Sequence, residues 1–121
     1  MRNKPKYSFF KNAKYAIDGL LSTFKYEVSF KIEIALFIIF TIIIWILPIS
    51  LLSKSIMQTA MLLPLIAELI NSAIESIVDL ITTKQHPLAK YAKDAAAASV
   101  FISLLLTLSI WICVFIYEFL I

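Results

Sequence analysis

The chain has 121 residues, 61% of them hydrophobic and only 16% charged, with one glycine, one histidine, one cysteine and a formal net charge of +3. That is too apolar and too poor in turn residues for an ordinary soluble domain. A single glycine excludes a P-loop, a glycine-rich dinucleotide fingerprint and a G-x-S-x-G nucleophile elbow, while a lone His86 and a lone Cys113 exclude a histidine metal centre and any disulfide or cysteine-metal framework within the chain.

The first element is predicted over 7–26, within "YSFFKNAKYAIDGLLSTFK". Phe10, Ala13, Ile17, Leu20, Leu21 and Phe24 recur at helical spacing on one face, and Lys11, Lys14, Asp18 and Lys25 fall mostly on the other. The segment is too short and polar to span a bilayer. It reads as an amphipathic helix on the inner membrane surface, with lysines suited to anionic headgroups. Asp18-Gly19 is where a break in it is expected. No cleavable signal peptide is visible.

Three apolar stretches follow, at 32–52, 56–81 and 95–121, each long enough for the ~20 residues that a helix needs to cross a bilayer. The expectation is an all-α integral membrane protein, with three transmembrane helices and the surface helix in a single domain over 1–121. Pro48 ends or kinks the first span, Pro64 kinks the second, and Pro87 lies in the polar loop "KQHPLAK". Seven basic residues precede the first span: Arg2, Lys4, Lys6, Lys11, Lys14, Lys25 and Lys31. Lys84, Lys90 and Lys93 separate the second from the third. Only Lys54 lies in the first link. This distribution puts the N-terminus and the second link in the cytoplasm, and the C-terminus outside.

The second span carries "AELINSAIESIVDL", in which Glu68, Asn71 or Ser72, Glu75 and Asp79 share one helical face. An ionised group deep in a bilayer costs roughly 2.5–3.5 kcal/mol on insertion scales, so this face must meet other helices, water or a cation. Asp79 is nearest the cytoplasm; at 1.5 Å per residue Glu75 lies about 6 Å deeper and Glu68 about 16 Å deeper. Glu27, Glu33, Lys93 and Asp94 come to the same interface. Crowded carboxylates repel, and Mg²⁺ relieves such repulsion by taking one or two of them together with substrate phosphates. A deeper carboxylate left over is placed to act as general base on a hydroxyl at the interface. The residues by themselves leave three readings open: a catalytic metal site, an ion or proton path, and structural pairing. The outer half of the span, "SIMQTAMLLPLIA", is uncharged, which favours a one-sided site over a path. The third span opens on a small-residue face, Ala95 to Ser99, suited to close helix approach.

Taken together these residues resemble the small prokaryotic diacylglycerol kinase family, which includes the undecaprenol kinases. The resemblance rests on E-x-x-N-[ST]-A-I-E-x-x-x-D, here Glu68 to Asp79, on Ala92-Lys93-Asp94 at the right distance, and on the acidic entry "YEVSFKIE". It implies a homotrimer in the bacterial cytoplasmic membrane with active sites between subunits, Mg·ATP as phosphoryl donor, a lipid hydroxyl as acceptor, and no nucleic-acid partner. By position it implies Glu68 as catalytic base and Glu27 and Glu75 as metal ligands. Nucleotide contacts fall on Tyr15, Glu27, Glu75, Gln85, His86, Lys93 and Asp94. Substrate contacts fall on Lys31 and Ala97 beside Glu68, and Asn71, Asp79 and Glu33 support the site. Ala96-Ala97 stands where many members have Gly-Ser, and Lys31 where an arginine is familiar. Diacylglycerol is the expected acceptor, undecaprenol the alternative, and a small trimeric ion or proton channel the more distant one.

Overall fold

The computed structural model describes residues 6–121; Arg2 and Lys4, counted above in the basic N-terminus, lie outside the described residues. Every regular element among the described residues is helical: α1 (Phe9–Tyr26), α2 (Val28–Ile46), α3 (Leu51–Ala60), α4 (Leu62–Ile81) and α5 (Pro87–Phe115), the last closing in a π-helical turn, Ile116–Leu120. Three helical segments are long and apolar enough to cross a membrane: α2, α3 with α4, and α5 with its terminal turn.

Helix α1 buries none of its residues, and Phe10, Ile17, Leu21 and Phe24 stand exposed along it. Its apolar face is therefore left largely unpartnered within the chain. The break expected at Asp18-Gly19 is not there. Gly19 keeps an ordinary helical backbone, and its carbonyl also accepts the Thr23 hydroxyl at 2.7 Å. A helical glycine costs about 1 kcal/mol relative to alanine, which an 18-residue helix absorbs. The break falls instead at Glu27, a single extended residue (φ −107°, ψ 113°) that ends α1 and starts α2.

The span boundaries move for identifiable reasons. The first span starts at Val28, not 32, because the charged entry already belongs to the helix, and it ends at Ile46, not 52. Pro48 pushes the residue before it out of the helical region, and Leu47 is accordingly extended at ψ 142°. The second starts at Leu51, where the Ser50 hydroxyl caps the Ser53 N–H at 3.2 Å, and is divided at Met61. The third starts at Pro87, not 95. Proline suits the first helical turn, and His86 Nδ1 accepts the Leu88 N–H at 3.1 Å as the cap.

The division at Met61 follows from Pro64, which has no N–H to give the carbonyl four residues before it. That carbonyl, of Ala60, lies 3.0 Å from the Thr107 hydroxyl of α5, which also reaches Ser103 O at 2.9 Å. The Met61 N–H turns to Gln58 O, and Met57 O accepts the Trp111 indole N–H at 3.3 Å. Two loosened carbonyls are thus served by two side chains one turn apart on α5. Around them Ile44, Met57, Met61 and Val114 form the core, and Phe40 meets Trp111 edge to face at 5.2 Å. At the far end Glu118 Oε1 accepts the Ser50 N–H at 3.2 Å, the Ser50 hydroxyl at 2.8 Å and the Ser53 hydroxyl, tying the end of α5 to the start of α3.

Candidate active site

Helix α4 runs antiparallel to both α2 and α5, so the start of α2 meets it at Glu68 and the start of α5 meets it at Asp79. Glu68, Asn71 and Ser72 are among the few buried polar residues, and Glu68 is only 5% exposed. A carboxylate so enclosed needs a donor. Ser29, in the first turn of α2, supplies it: its hydroxyl donates to Glu68 Oε1 at 2.7 Å. Glu33, one turn further along α2, is half-buried, and its Oε2 is buried with no partner among the described residues.

One turn along α4, Asn71 Nδ2 donates to Glu75 Oε1 at 3.3 Å, while Asn71 Oδ1 and the Ser72 hydroxyl are buried without partners. Ser72 and Ser76 line a groove of about 600 Å³ that α1 closes from the other side with Gly19, Thr23 and the hinge residue Glu27. At the polar end the Lys93 ammonium donates to Asp79 Oδ1 at 2.6 Å, and Lys90 pairs with Asp94 one turn apart on α5. An open groove of about 730 Å³ there brings together Asp79, Gln85, His86, Lys90, Lys93 and Asp94. Exposed, solvated pairs of this kind add little stability; what they provide is a place where cationic and anionic groups meet water.

The structure therefore gathers most of the sequence-predicted site residues in three tiers. Glu68 and Glu33 are deepest, Asn71 and Glu75 are bonded to each other one turn on, and Asp79, Lys93, Asp94, Gln85 and His86 face outward, while Glu27 lines the groove with Ser72 and Ser76. Three stand apart. Tyr15 is exposed on α1 and Ala97 on α5, and neither lines these grooves. Lys31 is exposed, with its ammonium 6.0 Å from the Phe24 ring centre. Among the described residues no three His, Cys, Asp or Glu side chains of one chain form a preformed metal cage. Below Glu33 an apolar cleft of about 270 Å³ opens between α2, α4 and α5, lined by Phe37, Phe40, Leu104 and Trp111. Ser29 was missed from the sequence. The signal for it was its place two residues after Glu27 and four before Glu33, on the face of α2 that carries the second acid.

A three-span helical membrane protein with a buried carboxylate below a charged, water-facing groove is the class that this fold and site define. A family model described as prokaryotic diacylglycerol kinase matches residues 14–115. The diacylglycerol kinase of Haemophilus influenzae is 38% identical over 100 residues, covering 83% of this chain and 85% of that one. That of Pseudomonas aeruginosa is 35% identical over 97 residues, covering 80% and 79%, and that of Escherichia coli K12 is 31% identical over 109, covering 89% and 88%. The chain belongs to the prokaryotic diacylglycerol kinase family. It is a membrane-embedded lipid kinase, and ATP is its phosphoryl donor.

Proposed function

We propose that the chain transfers the γ-phosphoryl group of ATP to the primary hydroxyl of diacylglycerol, giving phosphatidic acid, at the cytoplasmic face of the bacterial inner membrane. The relatives named above are diacylglycerol kinases. The observation that carries the reading is the order of groups along α4: a buried carboxylate, Glu68, at lipid depth, and an open charged groove around Asp79 and Lys93 at its end. A lipid hydroxyl and a water-soluble nucleotide can approach such a site from two phases. The reading includes a homotrimer with sites between subunits, the N-terminus in the cytoplasm and the C-terminus outside.

The donor chemistry fits Mg²⁺. Glu27 and Glu75 are hard oxygen ligands, and Asn71 Oδ1, beside Glu75, is buried without a protein partner. Bound there with ATP, the ion would neutralise phosphate charge. The chain's own residues do the rest. Glu68 accepts the proton of the acceptor hydroxyl as its oxygen bonds to the γ-phosphorus and the bond to the β–γ bridging oxygen breaks, releasing ADP. Lys93 offsets phosphate charge, and Asp79 orients Lys93. Asn71 orients Glu75. The apolar cleft under Glu33 keeps water from the deep tier.

The test is an ATP-dependent phosphorylation assay of the purified protein in mixed micelles, with dioleoylglycerol and undecaprenol at matched mole fractions. A higher initial rate with dioleoylglycerol is expected. A higher rate with undecaprenol reverses the choice of acceptor, and no rate with either removes the lipid-kinase reading.

A further inference from the structure

We propose that Ser29 is a positioning residue for phosphoryl transfer: its hydroxyl holds Glu68 through Oε1, so that Oε2 is the oxygen left to take the acceptor's proton. The inference rests on the reading of Glu68 as the base. Among the described residues the Ser29 hydroxyl is the donor bonded to this carboxylate, at 2.7 Å. The last torsion of a glutamate side chain is broad and nearly two-fold, so sterics alone leave the two oxygens interchangeable. The neighbouring acid, Glu33, makes no hydrogen bond to Glu68, and its buried Oε2 has no partner among the described residues. One charge-assisted hydrogen bond therefore decides how the carboxylate stands. Orientation matters because displacements on the order of 1 Å at a reacting group can cost about a hundredfold in rate.

Ser29 is well placed for this and for little else. It sits in the first turn of α2, two residues after the Glu27 hinge. Its own side chain is exposed, and removing the hydroxyl opens no cavity in the core. A loss of kcat in Ser29→Ala that leaves the melting temperature and the KM for ATP unchanged then acts through Glu68.

The experiment compares purified full-length oligomers of the wild type, Ser29→Ala, Ser29→Thr, Glu68→Gln and Ser55→Ala in diacylglycerol micelles. Ser55 is an exposed serine whose hydroxyl bonds its own helix at Leu51 O, 2.9 Å away, and it serves as control. For each, kcat, the KM values for ATP and lipid, and the melting temperature are measured. Ser29→Ala should lose roughly tenfold in kcat, the scale of one hydrogen bond to a charged group. Its KM for ATP and its melting temperature should match those of Ser55→Ala, and Ser29→Thr should restore most of the rate. An unchanged kcat in Ser29→Ala beside an inactive Glu68→Gln overturns the positioning role and leaves the base in place. A kcat loss that threonine fails to restore, or that comes with a lowered melting temperature, makes Ser29 structural and also overturns it. An active Glu68→Gln removes the base reading on which the proposal stands.

Discussion

A carboxylate in hydrocarbon is kept only where something uses it or satisfies it, and among the described residues Glu68 has a single hydroxyl to satisfy it. Glu68→Gln preserves shape and can still accept the Ser29 bond, but an amide cannot take a proton. Turnover should fall by about 10²–10⁴-fold, the usual worth of a general base, with the oligomer and its melting temperature intact by size-exclusion chromatography and thermal unfolding. Near-normal turnover of a well-folded variant would remove Glu68 from the role. Glu75→Gln and Glu27→Gln should instead raise the Mg²⁺ concentration needed for half-maximal rate, since each loses one hard oxygen ligand. Titrations of initial rate against Mg²⁺ that superpose on the wild type for both variants would argue against a shared ion. The acidic stripe was legible in the sequence because one helical period relates all its members. The Ser29–Glu68 bond was not, because its partners are 39 residues apart and only the packing of α2 on α4 brings them together.

Elements show the same division between local and tertiary information. The helix that ends before Pro48 follows from proline's fixed φ and missing N–H, as the sequence suggested, whereas Pro87, expected in the loop, is the first residue of α5, where the same missing N–H suits the opening turn. A kink was expected at Pro64, yet the break lies upstream at Met61, because a proline frees the carbonyl four residues before it, not its own. What the sequence did not disclose is the remedy: Thr107 and Trp111 of α5 facing Ala60 O and Met57 O. Thr107→Val keeps the side-chain volume and deletes the donor. Side-chain hydrogen bonds between transmembrane helices average about 0.6 kcal/mol and reach about 1.7. The loss should therefore be about 1 kcal/mol, read as earlier thermal unfolding in detergent, while kcat per folded protein stays near the wild-type value because Ala60 lies about 12 Å along the helix from Glu68 and valine keeps the cleft it shares with Glu33 apolar. A stability unchanged within error would mean that the proline-freed carbonyl finds another partner.

Across the whole molecule, charge separates by end. Lys6, Lys11, Lys14, Lys25 and Lys31 precede or open the first span, and Lys84, Lys90 and Lys93 lie at the junction of the second and third. The other end holds Lys54 and Glu118. Lys54 is moreover tethered locally: its ammonium donates to Trp45 O at 3.1 Å and lies 5.7 Å from the Trp45 ring centre. Tryptophan and lysine side by side suit a membrane–water interface. Orientation in the bilayer is governed by the excess of lysine and arginine near span ends, and acids contribute little, so the clasp formed by Glu118 does not weaken the bias. The heavily basic end should stay in the cytoplasm, where ATP is. Alkaline phosphatase folds only outside the cytoplasmic membrane and green fluorescent protein becomes bright chiefly inside it, so two fusions after Ile121 report the same point oppositely. Phosphatase activity with a dark fluorescent fusion is the expected pair. The reverse pair would place the C-terminus in the cytoplasm, and with three spans it would carry the Asp79–Lys93 groove to the face that lacks nucleotide, leaving the proposed two-phase reaction without its donor.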